Sequence, residues 1–508
     1  MSELGKVVLI GAGPGEKGLL TLKGYEYLKQ ADCIVYDRLL NTDFLDLVPS
    51  NCEKIYVGKA NHFHTVPQDE INQLLYDNAL KHKLVVRLKG GDPYVFGRGG
   101  EEALFLRDRN VEVEVVPGIS SSIAAVASAG IPITHRGLSK GFQVITAHSK
   151  KDKISDIDYS QLLDEDITYV FLMGLSHVKD IADGLMAAGR ASDTPAAVIS
   201  SGTTNHQKKV VGVLATINDL VIEAGLLSPA IIVVGKVVTL SEDLNFFEKR
   251  PLFGKKFFLP VIDRFEYTLS NGTSQTKPNE LKEKLIKNGA EVVAVKSGAI
   301  SPIKFDFSFL SKAKKGDYLV FTSPNGVKSF FWNLYEVAGE DIRAIADYKF
   351  ACIGKKTADS LGEFGIKADV ISAAQNGKDL ATTLNQVMEK DADIFWLCQK
   401  NTSEDFENTV SKDHAITKII CYENQEVNTI LDDKQLEEIR ECDIVIFTSG
   451  SNARFAIKNY KDYLPNDVIS IGPACSRITR ELGLEVAAEA EISSYDGIVE
   501  CIFNSYIR

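Results

Sequence analysis

The segment RLKGGDPYVFGRGGEE, from Arg87 to Glu102, sets five glycines and one proline behind a short apolar strand at Leu84 to Leu88. Gly90 and Gly91 let the backbone take positive φ or come close to a bound group, which a residue with a Cβ does only at a cost. Pro93 fixes φ in the turn, and Glu101 and Glu102 suit the first turn of a following helix. Strand, glycine loop and helix in that order describe an α/β protein whose ligand sits at the carboxyl end of the strand. The plainer alternative is a glycine-rich turn with no ligand.

The pattern recurs on both sides of this segment. Val7 to Ile10 is a continuous apolar run, as in a strand buried on both faces, and it feeds Gly11-Ala12-Gly13-Pro14-Gly15 and a helical stretch near Leu19 to Ala31. A dinucleotide fingerprint wants glycine where Glu16 stands, with Asp37 as the tempting acid downstream. Pro14 also removes an N–H that a pyrophosphate would use, so the ligand is expected to lack phosphates. Strands at Cys33 to Tyr36 and Ile55 to Val57 run into Asp37-Arg38 and Gly58-Lys59. Surface ion pairs worth at most ~1 kcal/mol are the plainer reading of those charges. Val113 to Val116 leads to Pro117-Gly118-Ile119-Ser120-Ser121-Ser122 and a small-residue helix, and further strands are expected at Tyr169 to Met173, Ala196 to Ser200 and Ala230 to Val234.

With 508 residues, the chain has room for several domains. An apolar fraction of 44% with 25% charged residues fits soluble α/β composition, and a net charge of −12 argues against a nucleic-acid partner. The eight cysteines are dispersed without a CxxC pair, so reduced thiols are expected in place of a zinc ribbon or disulfide framework. No apolar run approaches the ~20 residues of a membrane span, and a cytoplasmic protein is expected. No metal site is read here: His62-Phe63-His64, the only close histidine pair, has no third ligand nearby in sequence.

Taken together, GAGPG (Gly11 to Gly15), TLKG (Thr21 to Gly24), YDRL (Tyr36 to Leu39), VGK (Val57 to Lys59), GGDPYVFGRGGEE (Gly90 to Glu102), PGISS (Pro117 to Ser121), GIPITHR (Gly130 to Arg136) and Met173-Gly174 resemble the tetrapyrrole methylase family, most closely its uroporphyrinogen-III C-methyltransferases. The likeness runs from Lys6 to Leu244. It implies two α/β subdomains with S-adenosylmethionine held between them by Pro14, Gly90, Gly91, Asp92, Val95, Ser120, Ser121, Met173 and Gly202. It also implies that Asp37 and Lys59 handle protons, since methylating a pyrrole carbon gives a cation that must shed one. Arg38, Arg98 and Arg136 are the cations expected to meet the substrate's acidic side chains. A homodimer joined through this half is expected.

Between Ser241 and Lys256 charge, aromatics and proline mix, which reads as a domain joint where Phe246, Phe247, Leu252 and Phe253 dock on a neighbouring surface. Beyond it the chain repeats itself: VFTSPNGVKSF (Val320 to Phe330) returns as IFTSGSNARFA (Ile446 to Ala456), and IGKKTADSLGEFG (Ile353 to Gly365) as IGPACSRITRELG (Ile471 to Gly483). Two related α/β lobes follow. Thr322, Ser323, Thr448 and Ser449 stand where a strand meets a helix, suited equally to anion binding and to helix capping.

These repeats, with PLFGK (Pro251 to Lys255) and Tyr422 behind a strand, resemble the uroporphyrinogen-III synthase family from about residue 251 onward. The likeness implies lobes at roughly 254–300 plus 424–508 and at 301–423, with Thr357 and Tyr422 facing the linear hydroxymethylbilane; Thr322, Ser323 and Ser449 are expected to meet the same substrate through their anion-binding corners. Tyr422 would help the hydroxymethyl group leave. The chain departs from that pattern at a polar loop from Asp263 to Asn279 and at Cys475, where threonine is common. The expected whole is an α/β fusion of residues 1–245 and 251–508 that makes uroporphyrinogen III and methylates it twice to precorrin-2. The alternative is a methylase of another corrinoid with a non-catalytic ligand-binding module.

Overall fold

The loops that begin at Gly11, Asp37, Val57, Gly90 and Pro117 each follow a strand of one parallel sheet. β1 (Lys6–Gly11), β2 (Cys33–Tyr36), β3 (Glu53–Tyr56), β4 (Leu84–Lys89) and β5 (Val113–Val116) run in the order β3-β2-β4-β1-β5, all parallel. The computed structural model describes residues 4–37, 40, 42–49, 51–58, 66–147, 157–269, 272–273, 279–312, 314–374 and 376–506. Arg38 and Lys59 lie outside them.

β1 lies between β4 and β5 with both its faces covered. Val7 and Leu9 pack with residues of α2 (Gln68–Ala79) and α3 (Gly99–Arg107), after α1 (Leu22–Leu28) in the chain, and Val8 and Ile10 pack on the other face with Leu28 and Phe44. Full burial of such a side chain is worth about 1.5–3 kcal/mol. Because all five strands are parallel, their carboxyl ends share one edge, and the loops after β1, β2, β3, β4 and β5 gather there. The last of them leads into α4 (Ser121–Ser128).

A second sheet follows in the order β6-β7-β10-β8-β9, from β6 (Gly141–Thr146), β7 (Ile167–Leu172), β8 (Pro195–Ser200), β9 (Lys208–Val213) and β10 (Ala230–Val234). Only β6 and β7 pair in parallel. The sequence shows β7, β8 and β10 as apolar runs. It hides β6 and β9 because they are edge strands, half exposed and without such a run.

The chain divides into two compact units between Gly254 and Lys255. Of the apolar residues in the joint, Phe247 and Leu252 are buried, but Phe246 is 63% exposed and does not dock. Glu248 accepts from Gln207 Nε2 at 2.8 Å and pairs with Lys209 at 3.4 Å, fastening this stretch to the first unit.

The second unit carries β11 (Lys256–Asp263), a small hairpin of β12 (Tyr267–Thr268) and β13 (Gly272–Thr273), β14 (Glu291–Pro302), β15 (Tyr318–Phe321), β16 (Lys349–Cys352), β17 (Val370–Ile371), β18 (Ile394–Gln399), β19 (Ile416–Glu426), β20 (Ile444–Phe447), β21 (Asp467–Ser470) and β22 (Ala488–Glu489). Apart from the hairpin they form one ten-stranded sheet, β17-β16-β15-β18-β19-β14-β11-β20-β21-β22. The duplication is visible in that order: β15-β16-β17 and β20-β21-β22 run outward on opposite sides of an antiparallel seam between β14 and β19. The described part of the loop after Asp263 is less polar than its sequence suggests. Tyr267 is buried and stacks on Phe364, Phe265 meets Trp332 edge-on, and Glu266 is buried against Lys328.

Candidate functional sites

In the first unit, glycines let three loops interlock. Gly91 N donates to Gly13 O at 2.8 Å, and Gly13 N donates back to Gly91 O at 3.2 Å. A Cβ on Gly118 would stand 2.2 Å from Gly91 O and 2.6 Å from Gly11 Cα, so no larger residue lets these backbones meet. Gly91 has φ +66°, and a Cβ there would lie 3.9 Å from Ser120 Cα and 4.0 Å from Ser121 N. The gap between this loop and the start of α4 is thus kept open by the missing side chain.

Asp92, expected to accept from a ligand, first fastens the loops: its Oδ1 accepts from Tyr94 N at 2.7 Å and its Oδ2 from Gly118 N at 3.0 Å. Each oxygen keeps a second lone pair for a bound donor. Ser120 likewise caps α4, accepting from Ser122 N at 3.3 Å. The second sheet supplies the opposite wall. A Cβ on Gly202 would strike Ala125 Cβ of α4 at 2.3 Å, and one on Gly15 would strike Thr204 Cγ2 at 2.6 Å. Glu16 N donates to Thr203 Oγ1 at 3.4 Å.

Phe96, Arg98, Met173, Ser201 and Thr203 all hold positive φ without being glycine, as only Asn110 does elsewhere among the described residues. Conformations costing about 1–3 kcal/mol each cluster where function requires them. Met173 and Val95 stand exposed, and Pro14 is partly buried in the β1 loop. Of the two described arginines, Arg98 is held by Glu101 at 2.7 Å and Arg136 is exposed in the turn from His135 to Ser139.

Asp37 rests on a buried ionic cluster absent from the sequence-based expectation. Arg87, on β4, reaches Asp37 Oδ2 with its guanidinium at 3.4 Å and Glu102 Oε1 at 3.4 Å, and Lys89 Nζ donates to the same Glu102 oxygen at 2.9 Å. Glu102 is fully buried, and Gln68 Nε2 also donates to its Oε1 at 3.1 Å. Burial, followed by the like charge of Arg87, pushes the Lys89 ammonium below its ordinary range. The signal was in the sequence: Arg87 and Lys89 alternate on one face of a central strand, where buried cations require a buried anion.

In the second unit the repeat hydroxyls are helix caps. Ser323 Oγ accepts from Gly326 N at 3.0 Å and Ser449 Oγ from Asn452 N at 3.1 Å. Ser323 also shares a 2.7 Å hydrogen bond with Tyr422 Oη, and Thr322 Oγ1 accepts from Trp396 Nε1 at 3.3 Å. Tyr422, expected behind a strand, lies inside β19. There, just past a register shift in the pairing with β18, Tyr422 is the register partner of Gln399 on β18 and of Pro302 on β14. Irregularities of this kind re-aim side chains next to active sites. Burial pushes the Tyr422 phenol up, although the Ser323 hydrogen bond opposes the shift. Thr357 is only 2% exposed, and its repeat partner Cys475 only 3%.

Residues 6–218 match the family profile of tetrapyrrole (corrin/porphyrin) methylases, and residues 279–500 match that of uroporphyrinogen-III synthase HemD. The chain therefore carries an S-adenosylmethionine-dependent methyltransferase ahead of a uroporphyrinogen-III synthase. Porphyrin biosynthesis protein HemD of Ruminiclostridium josui is 34% identical over 510 residues, covering 98% of this chain and 97% of that protein. The chain belongs to that family. Siroheme synthase 2 of Yersinia enterocolitica is 47% identical over 49% of the chain, which spans about half (52%) of that relative's length. Uroporphyrin-III C-methyl transferase from Thermus thermophilus, solved with S-adenyl homocysteine, is 40% identical over 46% of this chain and 93% of its own, with a TM-score of 0.40.

Proposed function

We propose that the second unit closes hydroxymethylbilane to uroporphyrinogen III and that the first unit methylates this product twice, yielding precorrin-2. The observation that carries the methylase assignment is the interlock of Gly11, Gly13, Gly91 and Gly118, which leaves a gap opposite Ser120 and Ser121 that a side chain would fill. S-Adenosylmethionine, when bound, supplies an electrophilic methyl group. Gly90 and Gly91 offer it backbone, Asp92 its free lone pairs, and Met173, Val95, Pro14 and Gly202 the walls. Asp37 takes the proton that the methylated pyrrole carbon must lose, with Arg38 next to it in sequence, Lys59 following the neighbouring strand β3 in the chain, and Arg87 supporting its carboxylate. Arg98 and Arg136 receive the acidic side chains of the porphyrinogen.

In the synthase half, Tyr422 and Ser323 share one proton-donating corner, and Thr322, Thr357 and Ser449 complete the bilane site. Ring closure happens unaided but leaves the last ring uninverted, so positioning is the main task. The protein works in the cytoplasm as a homodimer joined through the methylase half. Eight free cysteines, seven of them buried, support a reducing compartment, and no described helix is long and apolar enough to cross a membrane.

The test is to give the whole protein hydroxymethylbilane and S-adenosylmethionine, then read product mass and isomer. A doubly methylated type III macrocycle is expected. An uninverted isomer formed at the uncatalysed rate, with methylation intact, reduces the second unit to a binding module. Asp37→Asn is expected to slow methylation by ~10²–10⁴-fold at unchanged cofactor affinity.

A further inference from the structure

At the edge of the parallel sheet opposite these loops, the amino-terminal ends of β2, β3 and β4 bring a thiol, a carboxylate and an imidazole together. Cys33 and Glu53 are register partners on neighbouring parallel strands, so their side chains leave the sheet on the same face. His82 just precedes β4, which pairs with β2 on its other side. The thiol sulfur, a carboxylate oxygen and a ring nitrogen all lie within 4.8 Å of one another, and His82 Nε2 is 2.9 Å from Glu53 Oε2. Cys33 is fully buried, whereas Glu53 and His82 reach solvent.

The backbone beneath this trio is held from several sides. Asp32 O accepts from Glu53 N at 2.9 Å, Asp32 N donates to Leu84 O at 3.0 Å, and the Asp32 carboxylate accepts from Leu84 N at 2.9 Å. One residue thus ties the starts of all three strands. On the far side Gly5 N donates to Ala79 O at 2.8 Å, and Gly5 sits so close to the His82 carbonyl that a Cβ would come within 1.8 Å. The three side chains are carried on a frame that exists before any ion arrives.

We propose that Cys33, Glu53 and His82 bind a divalent cation of the zinc class, with water as the fourth ligand. One sulfur, one nitrogen and one oxygen are the donors zinc takes, and three protein ligands plus water is a common open set. Zinc bonds of about 2.0–2.3 Å require the trio to draw in slightly, a movement open to Glu53 and His82 at the solvent side. A carboxylate and an imidazole alone would be an ordinary surface pair; the buried thiol beside them is what selects a soft metal. The site lies at the opposite strand ends from the methylase loops, so its role is to tie β2, β3 and β4 together.

The test uses the full chain under reducing conditions with cobalt(II) as a spectroscopic stand-in for zinc. Near-ultraviolet absorption from a thiolate–cobalt bond should appear at one equivalent and be displaced by zinc. It should vanish in Cys33→Ser and in Cys33→Ala. His82→Gln and Glu53→Gln, both partly exposed and tolerable to the fold, should weaken cobalt binding by about tenfold or more, while His82→Gln methylates at the wild-type rate. The proposal is overturned if no thiolate band forms in excess cobalt, if the band survives loss of Cys33, or if neither His82→Gln nor Glu53→Gln alters affinity. Absence of methylation by the unsubstituted chain with the band present would count against the methylase reading above and leave this one standing, whereas loss of methylation in His82→Gln would overturn the separation of this site from the methylase loops.

Discussion

The two enzymes of this chain build their strand-end loops in opposite ways. In the methylase unit, backbone holds backbone: Gly13 and Gly91 exchange hydrogen bonds, and Gly118 lets three loops meet. In the synthase unit the side chains do the holding, with Ser323 and Ser449 spent as helix caps and Thr357 buried. The first arrangement is intolerant of any added Cβ and indifferent to many side-chain changes elsewhere in the loops. The second couples binding to stability, because the hydroxyl that meets a ligand also secures a helix.

The sharpest way to break this contrast is Gly118→Ala. Its Cβ would press on the backbone of Gly91 and Gly11, neither of which can swing aside like a side-chain tip. S-Adenosylmethionine affinity is expected to fall by about 100-fold or more, roughly 2.7 kcal/mol, with synthase turnover unchanged. Titration calorimetry and the isomer assay read the two arms. Affinity within threefold of wild type would show that the interlock does not shape the pocket.

Arg87→Met tests what lies beneath. It strips one cation from the fully buried Glu102 and the supporting guanidinium from Asp37, which should destabilise the methylase unit by about 3–5 kcal/mol. Denaturant unfolding measures this. Ser323→Ala, the matching change in the synthase, removes a cap worth about 1 kcal/mol together with the Tyr422 hydrogen bond. A Ser323→Ala penalty as large as that of Arg87→Met would erase the contrast.

Tyr422→Phe is the milder probe of the synthase corner. Ser323 keeps its bond from Gly326 N when the phenol is gone, so the helix stays capped and only the reaction feels the change. Type III product is expected at a rate reduced by at most ~10²-fold, because steering of the bilane is shared among many groups. A shift to the uninverted isomer would instead make Tyr422 a steering residue.

What the sequence showed and what it hid follow from the same difference. Continuous apolar runs such as Val7 to Ile10 mark doubly covered strands, and glycines behind them mark loops that touch. β6 and β9 lack that run because they are edge strands. The seam between β14 and β19 was invisible because pairing between distant strands leaves no local trace, and Tyr422 owes its position to that seam. Glu101 and Glu102 both stand in the first turn of α3 as expected, but the burial of Glu102 became clear only once β4 was set behind that helix. Cys33, Glu53 and His82 are joined by register alone, which no local motif announces.

The smallest expected effect is that of Cys475→Thr, and it decides how far the synthase repeats are equivalent. Cys475 occupies in IGPAC the place that Thr357 holds in IGKKT, and both side chains are almost completely buried near the start of the helix that follows β21 or β16. The Cys475 thiol lies 3.7 Å from Phe447 O, the last residue of β20. A threonine hydroxyl there has a carbonyl within reach, so its polar group need not go unpaired, and the volume change is small enough to cost less than about 1.5 kcal/mol. Stability and synthase rate should therefore both stay near wild type. A rise of tenfold or more in rate would mean that this position meets the bilane as Thr357 is proposed to do, and that the buried state described for Cys475 is not the one in which the reaction runs.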